Sequence, residues 1–135
     1  MKKLLLTALL CFSINGFAYN WKKVGESIIG DTLYVDTDSI KKTNDAVYFW
    51  SLMDYLEPSN TIQITPRKMV ASYSLISKYK VDCKENKLTN LSSTSYTGQM
   101  AKGRVINESM RNSSSYPKPH TFIRTAMEFV CNNAK

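Results

Sequence analysis

Few residues of this chain have the types and spacing that catalysis requires. His120 is the only histidine, so a Ser-His-Asp arrangement or a histidine metal cluster would depend on it alone. Asp36 and Asp38 could form a carboxylate pair, but with Ser39 they are typical of a turn whose side-chain oxygens bond the local backbone. No glycine-rich phosphate-binding loop is present. The sequence therefore predicts a protein that is not an enzyme and holds no cofactor, with a small hydrolase using His120 as the catalytic alternative.

The N-terminus has the layout of a secretion signal. Two lysines precede an apolar run over residues 4–14, and Gly16 and Ala18 supply the small residues of a cleavage site. The apolar run is too short to span a membrane. We expect residues 1–18 to be a signal peptide and residues 19–135 to form a single exported domain that does not span the membrane.

The cysteines favour one disulfide. Cys11 lies in the predicted signal peptide, and lipidation there is not expected because a leucine rather than a small residue precedes it. Cys83 and Cys131 then remain in an oxidising compartment, where an even number of cysteines favours a bridge. Two cysteines and one histidine offer no spacing typical of a metal site. We expect a Cys83–Cys131 disulfide, which could contribute roughly 4 kcal/mol at most, and no metal.

Alternation with period two organises the rest of the chain. Residues 69–83 alternate throughout, which predicts one long strand with its odd positions buried and its even positions outward. Residues 46–53 are apolar on both alternations and are expected to form a central strand. From Thr121, the predicted N-cap, apolar residues recur at helical spacing. We expect an α+β fold, with an antiparallel sheet of five to six strands and a C-terminal helix packed on it, tied by the disulfide.

Three polar stretches connect these elements. Residues 41–45 are predicted to form a hairpin loop that leads into the central strand. Residues 104–110 are predicted to be a short strand, and residues 111–119 a loop before the helix.

A set of basic residues is the best candidate for a binding surface. The formal charge of +7 falls to +5 when the two lysines of the signal are removed. A basic exported domain favours anionic partners, such as acidic glycans or acidic patches on proteins. The predicted partner-binding residues flank or face outward from the long strand: Arg67, Lys68, Lys78, Lys80 and Lys84. The alternatives are a solvated strand face that prevents edge-to-edge aggregation and binding of single-stranded nucleic acid, which export makes unexpected.

Several short motifs are spread across nearly the whole exported domain. They are the turn over residues 33–40, Trp50 with Asp54-Tyr55, Tyr79-Lys80-Val81-Asp82-Cys83, Tyr96 with Gly98, and Phe129-Val130-Cys131. Together, and in this order, they are similar to the motifs of the surface-adhesin protein E family of Gram-negative bacteria. The resemblance implies a small antiparallel sheet with a C-terminal helix tied on by a disulfide, in agreement with the fold expected above.

The resemblance also implies a function. Members resemble surface proteins that bind host extracellular-matrix and serum proteins such as vitronectin, laminin and plasminogen. It implies that a basic pair after a proline, here Arg67 and Lys68 after Pro66, contacts the partner. The location stays open between the periplasm and the cell surface, and so does a homodimer through an unpaired edge strand. The alternative function is a periplasmic accessory or structural subunit of an envelope complex that uses an apolar face of residues 46–53.

Overall fold

The computed structural model describes residues 18–58 and 60–135. Residues 1–17 of the predicted signal peptide lie outside the described residues, so its removal stays a prediction. The described strands and helix are β1 (Trp21–Glu26), β2 (Thr32–Asp36), β3 (Lys41–Thr43), β4 (Ala46–Asp54), β5 (Asn60–Thr65), β6 (Lys68–Ser72), β7 (Ser74–Asp82), β8 (Lys87–Tyr96), β9 (Val105–Ser115) and α1 (Phe122–Asn133).

Seven of these described strands form one antiparallel sheet. Its order is β1-β2-β4-β7-β8-β9, and β3 pairs with the first residues of β4. Strands β5 and β6 form a separate two-stranded hairpin. The expectation that residues 46–53 lie centrally is confirmed, because β4 has neighbours on both sides. The sheet has more strands than the five to six expected, and the α+β class is confirmed.

Helix α1 lies across β1, β2 and β4. It buries Ala126, Met127 and Val130 against the sheet. Its outward face carries Arg124, whose Nε lies 3.1 Å from Oε1 of Glu128. The predicted amphipathic helix is therefore confirmed. No helix within the described part of the chain combines the length and apolar character needed to cross a bilayer.

A disulfide joins the last turn of α1 to the turn after β7. Cys83 and Cys131 are bonded, with their Cα atoms 6.0 Å apart and 48 positions apart in sequence, so the predicted bridge is confirmed. The closed loop contains all of β8 and β9. Buried apolar side chains of β2, β4, β7, β8 and α1 form the core: Leu33, Val35, Val47, Phe49, Val81, Leu88, Ala126, Met127 and Val130.

The single long strand predicted over residues 69–83 is wrong. Strand β6 ends just before Tyr73 and β7 begins just after it. Strand β6 pairs with β5, whereas β7 lies between β4 and β8. The carbonyl oxygen of Tyr73 accepts a hydrogen bond from Tyr55 N at 2.9 Å, and its N–H donates one to Tyr96 O at 3.1 Å. The backbone of Tyr73 is therefore bonded to the ends of the neighbours of β7 and not to β5. Alternation in the sequence indicates which face of a sheet each side chain occupies. It does not indicate which strand the backbone pairs with, so it does not reveal this break.

Two predicted loops belong largely to strands. Residues 41–43 form β3, and Asn44 and Asp45 turn the chain into β4. The φ of Asn44 is 53°, a conformation that asparagine tolerates in tight hairpins. Strand β9 continues through the first part of the predicted loop, as far as Ser115. Because β9 is an edge strand with mostly exposed side chains, it lacks the buried alternation that marks a strand in sequence.

The two faces of the central strands have different surroundings. On the helix-covered face, Val47, Phe49 and Val81 are buried in the core beneath α1. We call the opposite side the open face. Along part of it, Leu52 and Ile76 are buried where residues 99–101 lie against β4 and β7. The remaining part of the open face carries Lys41, Tyr48, Trp50, Lys78 and Lys80, and we call these five residues the basic–aromatic surface.

Candidate binding surface on the open face

A short 3-10 turn after β2 borders the basic–aromatic surface. Asp36 Oδ1 accepts hydrogen bonds from Asn20 N at 2.9 Å and from Asp38 N at 3.2 Å. Ser39 Oγ donates to Asp36 O at 2.7 Å and accepts from Trp50 N at 2.9 Å. The prediction that these side chains bond the local backbone is confirmed. The same bonds attach the turn to β4 at Trp50.

Strand pairing arranges the basic–aromatic surface in two neighbouring rows. Tyr48 is paired with Lys41 of β3 on one side and with Lys80 of β7 on the other. Trp50 is paired with Lys78, whose Nζ lies 5.6 Å from the centroid of the indole ring. That distance is within the range of a cation–π interaction. Directly paired residues of an antiparallel sheet share a face, so the five side chains lie on one side of it.

Two open grooves meet at Trp50. The basic groove has a volume of about 370 Å³, and Lys41, Tyr48, Trp50 and Lys78 line it. The acidic groove has a volume of about 480 Å³ and is lined by Tyr19, Asp36, Asp38, Ser39 and Trp50, together with Ala18. Ser39 and Trp50 line both grooves, so the two lie side by side at these residues, with lysines lining one and carboxylates lining the other. We call the two grooves together the Trp50 depression.

The lysines of the basic–aromatic surface form no ion pair with any residue that the structure describes. Within the described residues, carboxylates pair with Lys23, Lys84 and Arg124. Lys41, Lys78 and Lys80 belong to none of these pairs. An anion that approaches the open face would therefore meet three positive charges without first having to break an ion pair.

Two of the predicted partner-binding residues lie away from this surface. Arg67 and Lys68 are at the turn between β5 and β6, and Lys68 lines a small cleft of about 80 Å³ together with Arg104 of the segment before β9. The expectation that Lys68 shares a strand face with Lys78 and Lys80 is wrong, because β6 and β7 belong to different sheets. The role of this pair in binding stays a prediction.

The fifth predicted residue, Lys84, lies in the turn between β7 and β8. Its Nζ is 3.4 Å from Oδ1 of Asp45, in the turn between β3 and β4. Both side chains are 79% exposed, so the pair is weak and is screened by salt. Lys84 is thus the one predicted partner-binding residue that has a carboxylate within reach in the described chain.

Sequence reasoning missed three members of the surface. Lys41 was expected in a hairpin loop, and Tyr48 and Trp50 were expected on the central strand but were not assigned to the basic surface. The turn residues Asn44 and Asp45 carried the missing signal. A two-residue hairpin turn at that position pairs residues 41–43 with 46–48, which places Lys41 beside Tyr48.

The catalytic alternative depends on the surroundings of His120. This residue is exposed in the turn before α1, with a φ of 65°. In residues 18–58 and 60–135, no group of three or more His, Cys, Asp or Glu side chains could hold a metal ion. No hydrogen bond or ion pair joins the His120 side chain to a carboxylate in this part of the chain.

A family model matches the chain from residue 21 to residue 132, across the sheet, the hairpin and the helix. The model describes surface-adhesin protein E. The chain belongs to the surface-adhesin protein E family. Membership places it among adhesin-type surface proteins and confirms the resemblance carried by the sequence motifs.

Solved structures of Haemophilus influenzae protein E share the fold. Crystal form II of that protein matches with a TM-score of 0.64 at 16% identity, over 84% of this chain and 87% of that one. A second structure matches with a TM-score of 0.61 at 16% identity, over 84% of each chain. Protein E from non-typeable Haemophilus influenzae gives 0.59 at 16% identity, over 83% and 75%. A comparison with curated protein sequences gave no significant match.

Proposed function

We propose that this chain is an exported, non-enzymatic adhesin-type protein that binds an anionic partner through the basic–aromatic surface. The partner is an acidic region of a host extracellular-matrix or serum protein, or of the acidic glycans that accompany such proteins. One observation carries the proposal: Lys41, Lys78 and Lys80 converge on the open face of the sheet, and none of them is ion-paired with a carboxylate of the described residues.

The composition of the surface suits binding. Aromatic side chains supply contact area at a low cost in conformational entropy, and Trp and Tyr are enriched among the residues that dominate interface energetics. Trp50 and Tyr48 are half-buried, and both belong to a paired strand, so their backbones are already fixed before a partner binds. The lysines would speed the approach of an anionic partner and fix its orientation.

Arg67 and Lys68 form a second candidate contact. Their exposed position at the end of the β5–β6 hairpin allows them to meet a partner without any change in the main sheet. Lys84 is expected to contribute least, because Asp45 already offsets part of its charge. The five predicted partner-binding residues are therefore proposed to act as two separate contacts and not as one stripe.

Charge reversal tests which contact matters. Binding to immobilised vitronectin and laminin would be measured at low and high salt for Lys78→Glu/Lys80→Glu and for Arg67→Glu/Lys68→Glu. The matched control is Lys102→Glu/Lys118→Glu, two exposed lysines outside both contacts. We expect the first variant to weaken binding by about tenfold or more and to flatten its salt dependence. Unchanged binding in the first variant would remove the open face from the proposal.

The location of the protein separates the adhesin from the periplasmic alternative. Antibody labelling of intact cells should reach an adhesin, whereas a periplasmic subunit is labelled after the outer membrane is opened. The periplasmic alternative relied on an apolar face of residues 46–53. In this strand Val47 and Phe49 are buried beneath α1, and Leu52 is buried on the other side, so the aromatic side chains left for a partner are Tyr48 and Trp50, which lie beside lysines.

A further inference from the structure

The depression around Trp50 has an uneven distribution of charge. Lys41 and Lys78 line one groove, and Asp36 and Asp38 line the other. Asp36 is 6% exposed and its Oδ1 is already bonded to backbone N–H groups, whereas the Asp38 side chain is exposed. The free carboxylate on the acidic side is therefore that of Asp38.

This distribution of charge favours ligands that carry negative charge at one end over ligands that carry it along their whole length. A polyphosphate backbone carries a negative charge at every unit, so a strand that crossed the whole depression would meet Asp38 with like charge. A ligand with an anionic group at one end and neutral hydroxyl groups at the other would pair with the lysines and donate hydrogen bonds to the carboxylate. An acidic sugar linked to a neutral sugar has this arrangement.

The shape of the depression agrees with such a ligand. The groove volumes of about 370 and 480 Å³ lie in the range of small-molecule sites. Trp50, which lines both grooves, offers an apolar ring of the kind that packs against the C–H groups of a pyranose. The exposed hydroxyl group of Thr43, in the basic groove, can both donate and accept a hydrogen bond.

We infer that the Trp50 depression binds an acidic oligosaccharide, with a carboxylate-bearing sugar at Lys41 and Lys78 and a neutral sugar toward Asp38. This inference rests on the proposed function and narrows its partner to a glycan. Trp50 is the shared platform of the two sugars. Lys80, on the same face but outside the groove lining, attracts the ligand without contacting it.

The fluorescence of Trp50 provides a direct test. The chain has two tryptophans, so Trp21→Phe leaves Trp50 as the reporter and keeps an aromatic ring beside Tyr19. The probes are a tetrasaccharide of alternating glucuronic acid and N-acetylglucosamine, a neutral tetrasaccharide of N-acetylglucosamine, and a single-stranded DNA oligomer. We expect a saturable change in emission with the acidic tetrasaccharide and binding weaker by roughly tenfold or more with the neutral one, since hydrogen bonds to charged groups are among the strongest.

Substitutions assign the two ends of the ligand. Lys41→Gln and Lys78→Gln should each weaken binding of the acidic tetrasaccharide roughly tenfold. Lys42→Gln is the matched control, because Lys42 is the next residue of β3, is exposed and is paired with Val47 on the other face. Asp38→Asn should weaken binding of both tetrasaccharides and should not weaken binding of DNA. Thermal unfolding of each variant would verify that the fold is retained.

Four results would overturn the inference. They are equal binding of the acidic and neutral tetrasaccharides, binding of neither tetrasaccharide, tighter binding of the DNA oligomer than of the acidic tetrasaccharide, and unchanged binding in both lysine variants. The proposed function fails separately. If the chain still binds immobilised vitronectin or laminin in a manner sensitive to Lys78→Glu/Lys80→Glu but binds no tetrasaccharide, the glycan inference falls and the adhesin proposal stands.

Discussion

The helix-covered face and the open face are built by the same strands but are packed very differently. On β4, Phe49 is 1% exposed and stacks with Tyr79, with ring centroids 5.5 Å apart, whereas its neighbours Tyr48 and Trp50 remain half-buried. On β7, Val81 is buried whereas Lys80 is exposed. A step of one residue therefore separates a side chain that stabilises the fold from one available for contact.

The open face is itself divided. Toward the end of β4, Leu52 and Ile76 are buried beneath the turn at residues 99–101. Toward its start, Trp50 and Lys78 line an open groove. The difference between the two ends is whether a loop covers the sheet, so the proposed binding surface is the part of the open face that no described loop covers.

The largest effect on stability is expected when one of two neighbouring aromatic residues on opposite faces of β4 is replaced by alanine. Phe49→Ala removes a buried ring from the core and should cost about 3–5 kcal/mol of unfolding free energy. Tyr48→Ala should cost roughly 1 kcal/mol, because its ring is half-buried on the open face. Urea unfolding of the two variants measures the difference. Similar losses would mean that the two faces do not divide stability from contact as described.

The disulfide should matter almost as much for stability and little for binding. Cys83→Ser/Cys131→Ser removes the bridge without leaving a free thiol, and should cost about 2–4 kcal/mol. The bridge ties α1 to the helix-covered face of the sheet, so its removal leaves the open face unchanged. The folded fraction of the variant should therefore still bind through the open face. Urea unfolding measures the first effect, and salt-dependent binding at low temperature measures the second. A stable double variant that had lost binding would contradict the separation of the faces.

The Ser74 hydroxyl group should help to hold residues 99–101 over the far end of the open face, together with the Asp54 carboxylate that accepts from Met100 N at 2.6 Å. Ser74 Oγ donates to Gly98 O at 2.6 Å and accepts from Ala101 N at 2.9 Å, while Met100 and Ala101 have φ of 54° and 57°. Ser74→Ala leaves both backbone groups without this partner and should cost about 1–3 kcal/mol. Hydrogen exchange at residues 97–104 should accelerate. The control is Ser113→Ala, on the exposed part of β9, and equal exchange in the two variants would refute the role of Ser74.

A smaller effect should appear at alkaline pH on the helix-covered face. Burial raises the pKa of the Tyr79 hydroxyl above its usual 10.0, and hydrogen bonds with Ser77 and Asn90 partly oppose the shift. Just above pH 10, Tyr79 therefore stays neutral in the folded state, whereas in the unfolded chain its hydroxyl ionises. Its stabilising contribution is complete below pH 10 and is lost as the pH rises toward the folded-state pKa, with a slope of about 1.4 kcal/mol per pH unit.

Tyr79→Phe isolates this effect. The variant should show a flatter fall of unfolding free energy above pH 10 than the parent chain, when both are measured by urea unfolding. Tyr34→Phe, which removes the hydroxyl of another tyrosine of the sheet that is not in the core, is the matched control. Equal slopes for Tyr79→Phe and the parent would show that burial of this hydroxyl does not control the alkaline stability.

The central elements of the fold were predictable because burial imposes a period on them. β4 and α1 were found from their apolar patterns, and the bridge between Cys83 and Cys131 from the cysteine count. The edge strand β9 was predicted too short, since solvent on most of its surface removes the buried pattern. The break at Tyr73 was missed because it changes the backbone's neighbours without interrupting the alternation.

The site was half predictable for the same reason. Lys78 and Lys80 were assigned to an outward strand face by alternation within one strand. The contribution of Lys41 depends on the register between β3 and β4, which a single polar turn sets. The separation of Lys68 from Lys78 depends on sheet membership. Relations between strands are long-range, so local periodicity does not determine them.

The covalent link between the end of α1 and the β7–β8 turn has a consequence for survival outside the cell. The bridge joins cysteines 48 positions apart, and the enclosed segment includes the exposed edge strand β9 and the residues that follow it. A proteolytic cut anywhere in that segment leaves two polypeptides that remain joined through Cys83 and Cys131. A single cut would then release no fragment. The lysines and the tryptophan of the basic–aromatic surface all precede Cys83, so they would stay on one continuous piece of chain.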